Sequence, residues 1–430
     1  MVGEKLKWYN DAMKVFIAGI TGTGMGPLAL FAKSAGFKVV GSDLNAGAIY
    51  DELKRAGIEM KIGEQDGEFL KKKLKGLDWF VYTSALPEDH PELVVAREAG
   101  IKCTKRDEFI QFLMDELDLE MIAVAGTHGK TTTTAMIVWT CLQLGLPISY
   151  MVGTTLGFAP SGAYDKKSEF FVYEADEYDR NFLRFHPWVS VITNISYDHP
   201  DVYKKPRDYR SAFLQFMAQS DLVIDGRDET LWSAGLDEYK LAGEVRRTDA
   251  RLAAGAVFSM APYIPSGKII DTVSEFPGVG RRFERLADGL YSDYAHHPEE
   301  IAATIEIAKE QAEIDGKKGV VVVYEPHQNA RQVELKKSYA RAFVGAEKIF
   351  WLPTYLVREP EGVRILSAEE LAAGLVNSDD VEIAELSRGL AVRLREYLSD
   401  GYLVVLMTAG PADAWMRRLA AGESVDELAK

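Results

Sequence analysis

The chain has 430 residues, which is too many for one hydrophobic core, so two or three domains are expected. Its formal net charge of −15 argues against broad binding to nucleic acid or to anionic membranes, and a hydrophobic content of 47% is typical of a globular protein. The two cysteines, Cys103 and Cys141, indicate no disulfide framework, and we find neither a signal peptide nor an apolar run of membrane-spanning length. We therefore expect a cytoplasmic enzyme.

The N-terminal third begins with a strand, a glycine-rich turn and a helix. Residues 14–19 predict a strand, 25–35 a helix, and 38–41 a second strand that Ser42 and Asp43 follow. An acid after the second strand of a β-α-β unit is typical of a dinucleotide or nucleotide-sugar site, although Pro27 replaces the last glycine of the strict fingerprint. Close packing of the helix on the strand explains the same turn without a ligand, and Ser42 and Asp43 could equally cap a helix. A third strand is predicted at 79–82.

The most informative segment runs from 120 to 134. Residues 121–125 predict a buried strand, Gly126-Thr127-His128-Gly129-Lys130-Thr131 a tight turn, and 132–144 a helix. In this geometry backbone N–H groups and the helix N-terminus face a phosphate, Lys130 reaches the outer phosphates, and the Thr131 hydroxyl can bind Mg²⁺. Val124 stands where the strict phosphate-loop pattern has a glycine, so only the shorter motif is present. The alternative is a plain strand-to-helix turn with a solvated lysine.

Polar residues follow two further predicted strands, 170–173 and 189–193. Glu174 comes directly off the first strand, whereas Asn194 and His199 follow the second. Because ligands bind beyond the carboxyl ends of parallel strands, we expect these residues to surround one phosphate site with Lys130 and Thr131. Glu174 is our preferred acid for holding Mg²⁺. Solvated loop acids remain an alternative for the next two carboxylates, Asp176 and Glu177.

The last third alternates strands and helices after a Pro- and Gly-containing segment at 275–284. Strands are predicted at 290–294, 319–324, 348–352, 381–384 and 402–407, and helices at 298–311, 331–343, 368–375 and 387–398. Ser367 and Glu370 form a predicted capping box. The adjacent His296 and His297 point opposite ways on an extended chain, so we do not expect them to share a metal. Residues 422–430 predict a polar tail.

In this order, the motifs resemble the Mur ligase family, the ATP-dependent amide-forming enzymes of peptidoglycan precursor synthesis. The resemblance rests on Gly-Ile-Thr-Gly-Thr-Gly-Met, Gly-Ser-Asp and Thr-Ser-Ala in the first third, Gly-Thr-His-Gly-Lys-Thr-Thr-Thr, Glu-Ala-Asp-Glu-Tyr-Asp and Thr-Asn-Ile-x-x-Asp-His-Pro in the centre, and Asp-Tyr-x-His-His-Pro and Pro-His-x-x-x-Arg in the last third. It implies an α/β protein of three domains: a Rossmann-like UDP-sugar-binding domain at 1–117, a central P-loop ATP-binding domain with a parallel sheet at 118–285, and a Rossmann-like domain at 286–430 that contacts amino acid and nucleotide. The motifs look most like the branch that joins L-alanine to UDP-N-acetylmuramate through an acyl phosphate, with ATP and Mg²⁺.

The resemblance also implies roles for individual residues. Lys130, Glu174 and His199 would be catalytic, and Thr131, Glu174 and His199 would bind the metal. The residues implied at ATP are Gly126, Thr127, His128, Gly129, Lys130, Thr131, Thr132, Asn194, Arg282 and Asp293. Those implied at the UDP-sugar are Gly22, Thr23, Gly24, Met25, Ser42, Asp43, Thr83 and Ser84. Those implied at the amino-acid substrate are His297, His327 and Arg331.

The chain departs from the family pattern at four places. Thr21 replaces a glycine, Glu64 replaces a histidine, residues 410–413 replace a glycine-rich ending, and 249–252 stand where the family has an adenine-contacting His-Asn motif. A related ligase that adds another amino acid or a recycled murein peptide therefore stays open, as does a non-catalytic ATP-binding switch or scaffold. A nicotinamide dehydrogenase would leave the phosphate loop unexplained. We expect small-molecule substrates, no nucleic-acid or membrane partner, and a monomer or homodimer.

Overall fold

The computed structural model describes residues 12–83, 86–199, 202–228, 235–356, 359 and 364–428. The chain forms two compact units, one of Met1–Tyr239 with Thr248–Phe276 and the other of Lys240–Arg247 with Pro277–Lys430. The first unit holds two β-sheets and the second holds one. The predicted α/β class with three sheet-centred domains is confirmed, whereas the three domain boundaries stay a prediction. Within the described residues, no helix combines the length and the apolar character that crossing a membrane requires.

The first sheet has the Rossmann-like order β3-β2-β1-β4-β5, and all of its strands are parallel. Its strands are β1 (Lys14–Ala18), β2 (Lys38–Asp43), β3 (Glu59–Ile62), β4 (Trp79–Tyr82) and β5 (Lys102–Lys105). The helices between and after them are α1 (Met25–Ser34), α2 (Tyr50–Arg55), α3 (Glu68–Lys71), α4 (Pro91–Glu98) and α5 (Arg106–Leu117). The central strands β1 and β4 are almost wholly buried, as their continuous apolar sequences predict for a sheet covered on both faces.

The second sheet has the order β11-β10-β6-β9-β7-β8 and is parallel except for the short antiparallel pair β7–β8. Its strands are β6 (Glu120–Ala125), β7 (Ser149–Met151), β8 (Gly162–Ala163), β9 (Phe170–Glu174), β10 (Val189–Ile192) and β11 (Leu222–Asp225). Its helices are α6 (Lys130–Gln143), α7 (Pro206–Ala218), α8 (Glu244–Met260) and α9 (Ser266–Ser274), with 3-10 turns at Tyr178–Arg184 and Leu236–Glu238. Because β6 lies between β10 and β9, the segments that follow these three strands emerge side by side.

The first two sheets share a hydrophobic core within their unit. Helix α1 carries Phe31 into this core, where its ring lies 5.1 Å from the ring of Phe171 and 5.9 Å from that of Tyr164. A polar contact joins the same two layers, since Ser161 donates its backbone N–H to the Glu52 carboxylate at 2.8 Å. The glycine turn before α1 is therefore held close to the second sheet.

The third sheet has the order β12-β13-β17-β14-β15-β16 and is parallel except for the β12–β13 hairpin. Its strands are β12 (Glu284–Ala287), β13 (Leu290–Asp293), β14 (Val320–Glu325), β15 (Lys348–Trp351), β16 (Val381–Ile383) and β17 (Leu403–Thr408). Its helices are α10 (Pro298–Ile314), α11 (Asn329–Leu335), α12 (Ala368–Ala372), α13 (Arg388–Ser399), α14 (Ala412–Ala420) and α15 (Val425–Leu428), with 3-10 turns at Lys336–Arg341 and Ser378–Asp380.

This unit differs from the sequence-based expectation in several details. The helix predicted at 331–343 is wrong in extent, because α11 ends at Leu335 and a 3-10 turn follows it, and α14 was not predicted. The prediction of a polar tail at 422–430 is wrong over the described residues, because α15 forms there and buries Leu428. The Leu428 carbonyl accepts a hydrogen bond from Trp415 Nε1 at 3.1 Å, which ties the chain end to α14. The hairpin strand β12 was not predicted. The capping box of Ser367 and Glu370 is confirmed.

Candidate active site

The phosphate loop lies between β6 and α6 and needs glycine at two of its positions. Gly126 has a φ of 148° and Gly129 a φ of 82°, a region that side chains rarely adopt. A Cβ atom on Gly126 would lie 1.9 Å from Thr193 Oγ1, and one on Gly129 would lie 2.7 Å from Asp249 Oδ1. Both glycines are therefore required by backbone conformation and by space. The loop leads directly into the helix N-terminus, as phosphate binding requires.

The segment after β10 holds the main chain of the loop in place. Asn194 accepts the His128 N–H with its Oδ1 at 3.1 Å and donates its Nδ2 to the His128 carbonyl at 3.0 Å. Thr127 donates its hydroxyl to the Ser196 carbonyl at 2.6 Å. The Thr127 hydroxyl also lies 2.8 Å from the Tyr209 hydroxyl of α7. The sequence placed Asn194 beside ATP; in the structure its amide shapes the loop that would hold the phosphates.

Glu177 links the loop lysine to the histidine after β10. Its Oε2 lies 2.9 Å from Lys130 Nζ, and its Oε1 lies 3.5 Å from His199 Nε2. The side chain of Glu177 is only 1% exposed, so the alternative of a solvated loop acid is wrong for this residue. Burial alone would raise the pKa of Glu177, but the Lys130 ammonium and the hydrogen bond from His199 outweigh it and lower the pKa to about 2.

The same carboxylate raises the pKa values of both its partners. Burial alone would lower the pKa of Lys130, yet the Glu177 charge outweighs burial, so the ammonium form is favoured. Burial also disfavours the charged form of His199, but the hydrogen bond to Glu177 and the nearby Asp198 carboxylate raise its pKa above the ordinary value. Glu177 thus couples Lys130 and His199 beside the phosphate loop.

Glu174 and Thr131 form a second polar contact at the same edge of the sheet. Thr131 donates its hydroxyl to Glu174 Oε1 at 2.8 Å, and Gly153 donates its backbone N–H to Glu174 Oε2 at 3.2 Å. Glu174 ends β9 and Thr131 lies in the first turn of α6, so the order of the strands brings them together. A hydroxyl and a carboxylate are oxygen ligands of the kind that Mg²⁺ prefers, and this pair fits such an ion.

The glycine turn of the first sheet is built around Asp43. Thr21 donates both its backbone N–H, at 2.9 Å, and its hydroxyl, at 2.7 Å, to Asp43 Oδ2. The adjacent Gly22 donates its N–H to the Gly19 carbonyl, and Met25 is buried at the start of α1. Thr23 and Gly24 lie between them, directly before the helix.

The next residues implied at the UDP-sugar lie at the ends of β2 and β4. The Ser42 side chain is fully buried and donates its hydroxyl to Glu92 Oε2 at 2.6 Å, while burial raises the pKa of Glu92. Thr83 follows β4 and would touch a Cβ atom on Gly19 at 3.3 Å. Ser84 lies outside the described residues. Ser42 therefore positions a buried acid, and Thr83 packs on the glycine turn.

The implied ATP residues of the second unit lie at the end of β13. Asp293 is buried and accepts the Phe283 N–H at 2.6 Å and the Ala295 N–H at 2.8 Å. Burial raises the pKa of Asp293, although the nearby Arg282 opposes that shift. The Arg282 guanidinium lies 5.1 Å from the centroid of the Tyr294 ring. The Asp293 carboxylate thus fixes the turn after β13.

The implied amino-acid residues follow β13 and β14, which both flank β17. His297 is the N-cap of α10 and forms a capping box with Glu300, which confirms its prediction as a helix-start residue. The ring of His327 lies 6.0 Å from that of His296 and 5.8 Å from that of Tyr355. Arg331 is half-buried in the first turn of α11. These residues share one edge of the third sheet.

Sequence reasoning did not find two residues that support the phosphate loop. Tyr209 donates its hydroxyl to Glu177 Oε1 at 3.3 Å, and burial raises its pKa strongly. Asp249, in the segment expected to replace the adenine-contacting motif, lies in α8, where it accepts the Thr133 hydroxyl at 3.1 Å. No local pattern marks either residue, because both meet the loop only through helices that are distant in the sequence.

Comparison with known proteins decides the family. Residues 14–117 match the catalytic domain of the Mur ligase family, and residues 124–238 match the Mur ligase middle domain. A relative from Symbiobacterium thermophilum, a UDP-N-acetylmuramate–L-alanine ligase, is 31% identical over 97% of this chain and 96% of its own length. The chain belongs to the Mur ligase family. The resemblance inferred from the motifs is therefore confirmed.

Other Mur ligases resemble the chain over a similar span. UDP-N-acetylmuramate–L-alanine ligases from Thermosynechococcus vestitus and Clostridium acetobutylicum are each 30% identical over 94% of this chain, covering 94% and 97% of their own lengths. Among solved structures, the UDP-N-acetylmuramate–alanine ligase of Thermotoga maritima aligns with a TM-score of 0.76 at 24% identity, covering 95% of this chain and 99% of its own. A murein peptide ligase of Psychrobacter arcticus aligns with a TM-score of 0.60 at 22% identity, covering 96% of this chain and 100% of its own. These structures share the fold.

Proposed function

We propose that the chain is an ATP-dependent ligase that joins L-alanine to UDP-N-acetylmuramate in peptidoglycan precursor synthesis. The observation that carries the proposal is the meeting of Lys130, Thr131 and Glu174 at one sheet edge, in a chain that resembles UDP-N-acetylmuramate–L-alanine ligases over almost its whole length. A phosphate loop with a carboxylate directly beside it suits transfer of a phosphoryl group.

The reaction begins with a carboxylate, which is a poor acyl donor. A carboxylate oxygen of UDP-N-acetylmuramate bonds to the γ-phosphorus of ATP, the bond to the β-phosphate oxygen breaks, and ADP leaves. The amine nitrogen of L-alanine then bonds to the acyl carbon, loses a proton, and displaces inorganic phosphate. Both partners of the first step are anionic, so the Lys130 ammonium and the N–H groups at the start of α6 stabilise the negative charge of the transferring group.

Glu177 keeps Lys130 charged and holds both Lys130 and His199 in place during this step. Its ionised, buried carboxylate lies 2.9 Å from Lys130 Nζ and 3.5 Å from His199 Nε2, so it holds both side chains beside the loop. In a reaction that needs no side-chain nucleophile, positioning of the reactants supplies much of the acceleration, about 7–11 kcal/mol where they are well held. Thr131, Glu174 and His199 would hold Mg²⁺, which would offset phosphate charge when bound.

The remaining substrate contacts complete the proposal. The turn at Gly22, Thr23, Gly24 and Met25, with Ser42, Asp43, Thr83 and Ser84, would bind the UDP-sugar. The loop residues Gly126, Thr127, His128, Gly129 and Thr132, with Asn194, Arg282 and Asp293, would serve ATP. His297, His327 and Arg331 would place the amino acid. These assignments carry the family resemblance onto matching positions of this chain.

The test is release of inorganic phosphate from ATP. We expect release only when UDP-N-acetylmuramate and L-alanine are both present, together with formation of the ligated product by mass spectrometry. Lys130→Met should lower kcat by about 100-fold or more, because it removes a preorganised cation, whereas Lys72→Met, at an exposed lysine, should leave kcat unchanged. Phosphate release that ignores both substrates would refute the proposal, and a panel of amino acids and murein peptides would reveal a different acceptor.

A further inference from the structure

A cavity of about 110 Å³ joins the glycine turn of the first sheet to the acidic end of β9. Its lining includes Thr23 and Gly24 on one side and Gly153, Glu174 and Asp176 on the other. All of these residues belong to the first unit. One wall is continuous with the phosphate loop, because Glu174 accepts the hydroxyl hydrogen bond of Thr131. The cavity therefore lies between the proposed UDP-sugar turn and the proposed site of phosphoryl transfer.

Arg106 supplies the positive charge in the lining of this cavity. It is the first residue of α5, and its side chain is 22% exposed. A Cβ atom built on Gly24 would lie 1.9 Å from Arg106 Nη1, so the guanidinium lies directly against the glycine turn. Its nearest acid, Asp176, is 4.0 Å away between Nη2 and Oδ2. The guanidinium makes no hydrogen bond to any residue within the described part of the chain.

This arrangement leaves the donors of Arg106 available to a ligand. A guanidinium presents its N–H groups as a planar fork that matches a carboxylate or a phosphate. Most buried polar side-chain atoms in proteins have a hydrogen-bond partner. Lys105, its neighbour in sequence, already pairs with Asp179 at 3.5 Å and does not line the cavity. Arg184 likewise pairs with Asp107 at 2.5 Å. Arg106 differs from both residues. Its side chain lines the cavity, and its ion pair with Asp176 spans 4.0 Å.

The position of the cavity favours a carboxylate over a diphosphate as the occupant. The group that receives the phosphoryl group must reach the neighbourhood of Glu174 and Thr131, and Arg106 is the cation on the path from the glycine turn to that point. A diphosphate can instead be held by the N–H groups at the start of α1, where Gly24 is the N-cap. The sugar ring separates the diphosphate of the substrate from its carboxylate, so the two groups need separate sites.

We propose that Arg106 binds the carboxylate of the UDP-sugar acid and aims it at the phosphate loop. This inference rests on the proposed function, since it names the residue that holds the acid in that reaction. Asp176 keeps the guanidinium turned toward the cavity, and Glu174 bounds the position of the carboxylate on the side of the phosphate loop. Arg106 contacts the reacting group, so its loss affects binding of the acid before ATP is present.

The experiment compares two sugar nucleotides by calorimetry, without ATP or Mg²⁺. UDP-N-acetylmuramate carries the carboxylate, whereas UDP-N-acetylglucosamine carries the same diphosphate without it. For Arg106→Gln we expect the affinity for the first ligand to fall by about 10- to 100-fold, the range for lost hydrogen bonds to a charged group. The affinity for the second ligand should stay within about twofold. Arg106→Lys keeps the charge without the fork and should give an intermediate loss.

Lys105→Gln is the matched control, because it removes the same charge one residue away. It should leave both affinities unchanged, and ADP binding by all variants reports that the second sheet is folded. An equal loss for both nucleotides would show that Arg106 binds the diphosphate, and no loss would show that it binds neither; each result overturns the inference. Wild-type protein that binds neither nucleotide would instead refute the proposed function.

Discussion

The buried pair of Lys130 and Glu177 makes a prediction about the stability of the protein without ligands. In the substitution Glu177→Gln, the amide keeps the shape of the side chain and removes its charge. The Lys130 ammonium would then remain buried beside the loop with no carboxylate to offset it. Breaking one partner of a buried pair is strongly destabilising, whereas removing both partners is much less so. A double-mutant cycle with Lys130→Met therefore isolates the interaction.

The magnitude follows from the pKa of Glu177. A folded-state pKa of about 2, against an ordinary value of 4.5, corresponds to about 3.5 kcal/mol at roughly 1.4 kcal/mol per unit. Because this pKa is lowered on folding, the stabilisation is present above pH 4.5 and is lost as the pH falls from 4.5 toward 2. The wild-type protein should exceed Glu177→Gln in its free energy of unfolding by about 1.4 kcal/mol less at pH 3.5 than at pH 7.

Hydrogen exchange of peptides that cover α6 measures this effect where it arises. At pH 7, without nucleotide or metal, each single substitution should lower the free energy of opening by about 3 kcal/mol. The double substitution should cost clearly less than the two single costs together, with a coupling of at least about 1 kcal/mol. Additive effects within about 0.5 kcal/mol, or a Glu177→Gln effect that does not change between pH 7 and pH 3.5, would refute the argument.

Three further predictions concern packing and reactivity. Gly162→Ala should destabilise the first unit by about 1–3 kcal/mol in urea unfolding, because its Cβ would lie 2.1 Å from the backbone oxygen of Pro27. Trp351→Ala should destabilise the second unit by about 3–5 kcal/mol, because the Trp351 side chain is fully buried. Cys141 should resist alkylation by iodoacetamide at pH 8 in the native protein, since burial raises its pKa to about 12, and Cys103, which is only half-buried, should react first in peptide mass spectrometry.

The phosphate-loop side of the site could be predicted from the sequence because its signals are local. Residues 121–125 are continuously apolar, two glycines frame the turn, and Lys130 opens the helix, so strand, turn and helix all follow from neighbouring residues. The meeting of Glu174 with Thr131 followed from one general rule, that parallel strands end at a common edge. The observed order, with β6 between β10 and β9, satisfies that rule.

The roles of Asp176 and Glu177 could not be separated from the sequence. Both are acids in the same short loop after β9, and nothing local distinguishes them. The structure leaves Asp176 half-exposed and buries Glu177. Burial of Glu177 depends on Tyr203, whose hydroxyl donates to the Glu177 carbonyl at 2.7 Å, and on Tyr209 of α7. Those contacts join residues at least 26 positions apart, so they arise only in the folded sheet.

Residues with unusual backbone conformations lie close to the candidate sites. Among the described residues, the non-glycine residues with positive φ are Asp118, Asp179, Arg180, His199, Arg281, Phe283 and Gln328. Such conformations cost about 1–3 kcal/mol each and persist only where the surroundings enforce them, most often at ligand sites. In the first unit, three of the four lie within the loop of Glu177 or at the histidine that contacts it.

The same pattern holds in the second unit. Arg281 and Phe283 precede Asp293, which accepts the Phe283 N–H, and Gln328 directly follows His327. Strain therefore accumulates at His199 and beside other residues that the family resemblance selected, such as His327 and Asp293. The one outlier far from these sites, Asp118, ends α5, where a left-handed C-cap is an ordinary way to stop a helix. Backbone strain and sequence motif thus coincide at the same two sheet edges, where we propose that substrates bind.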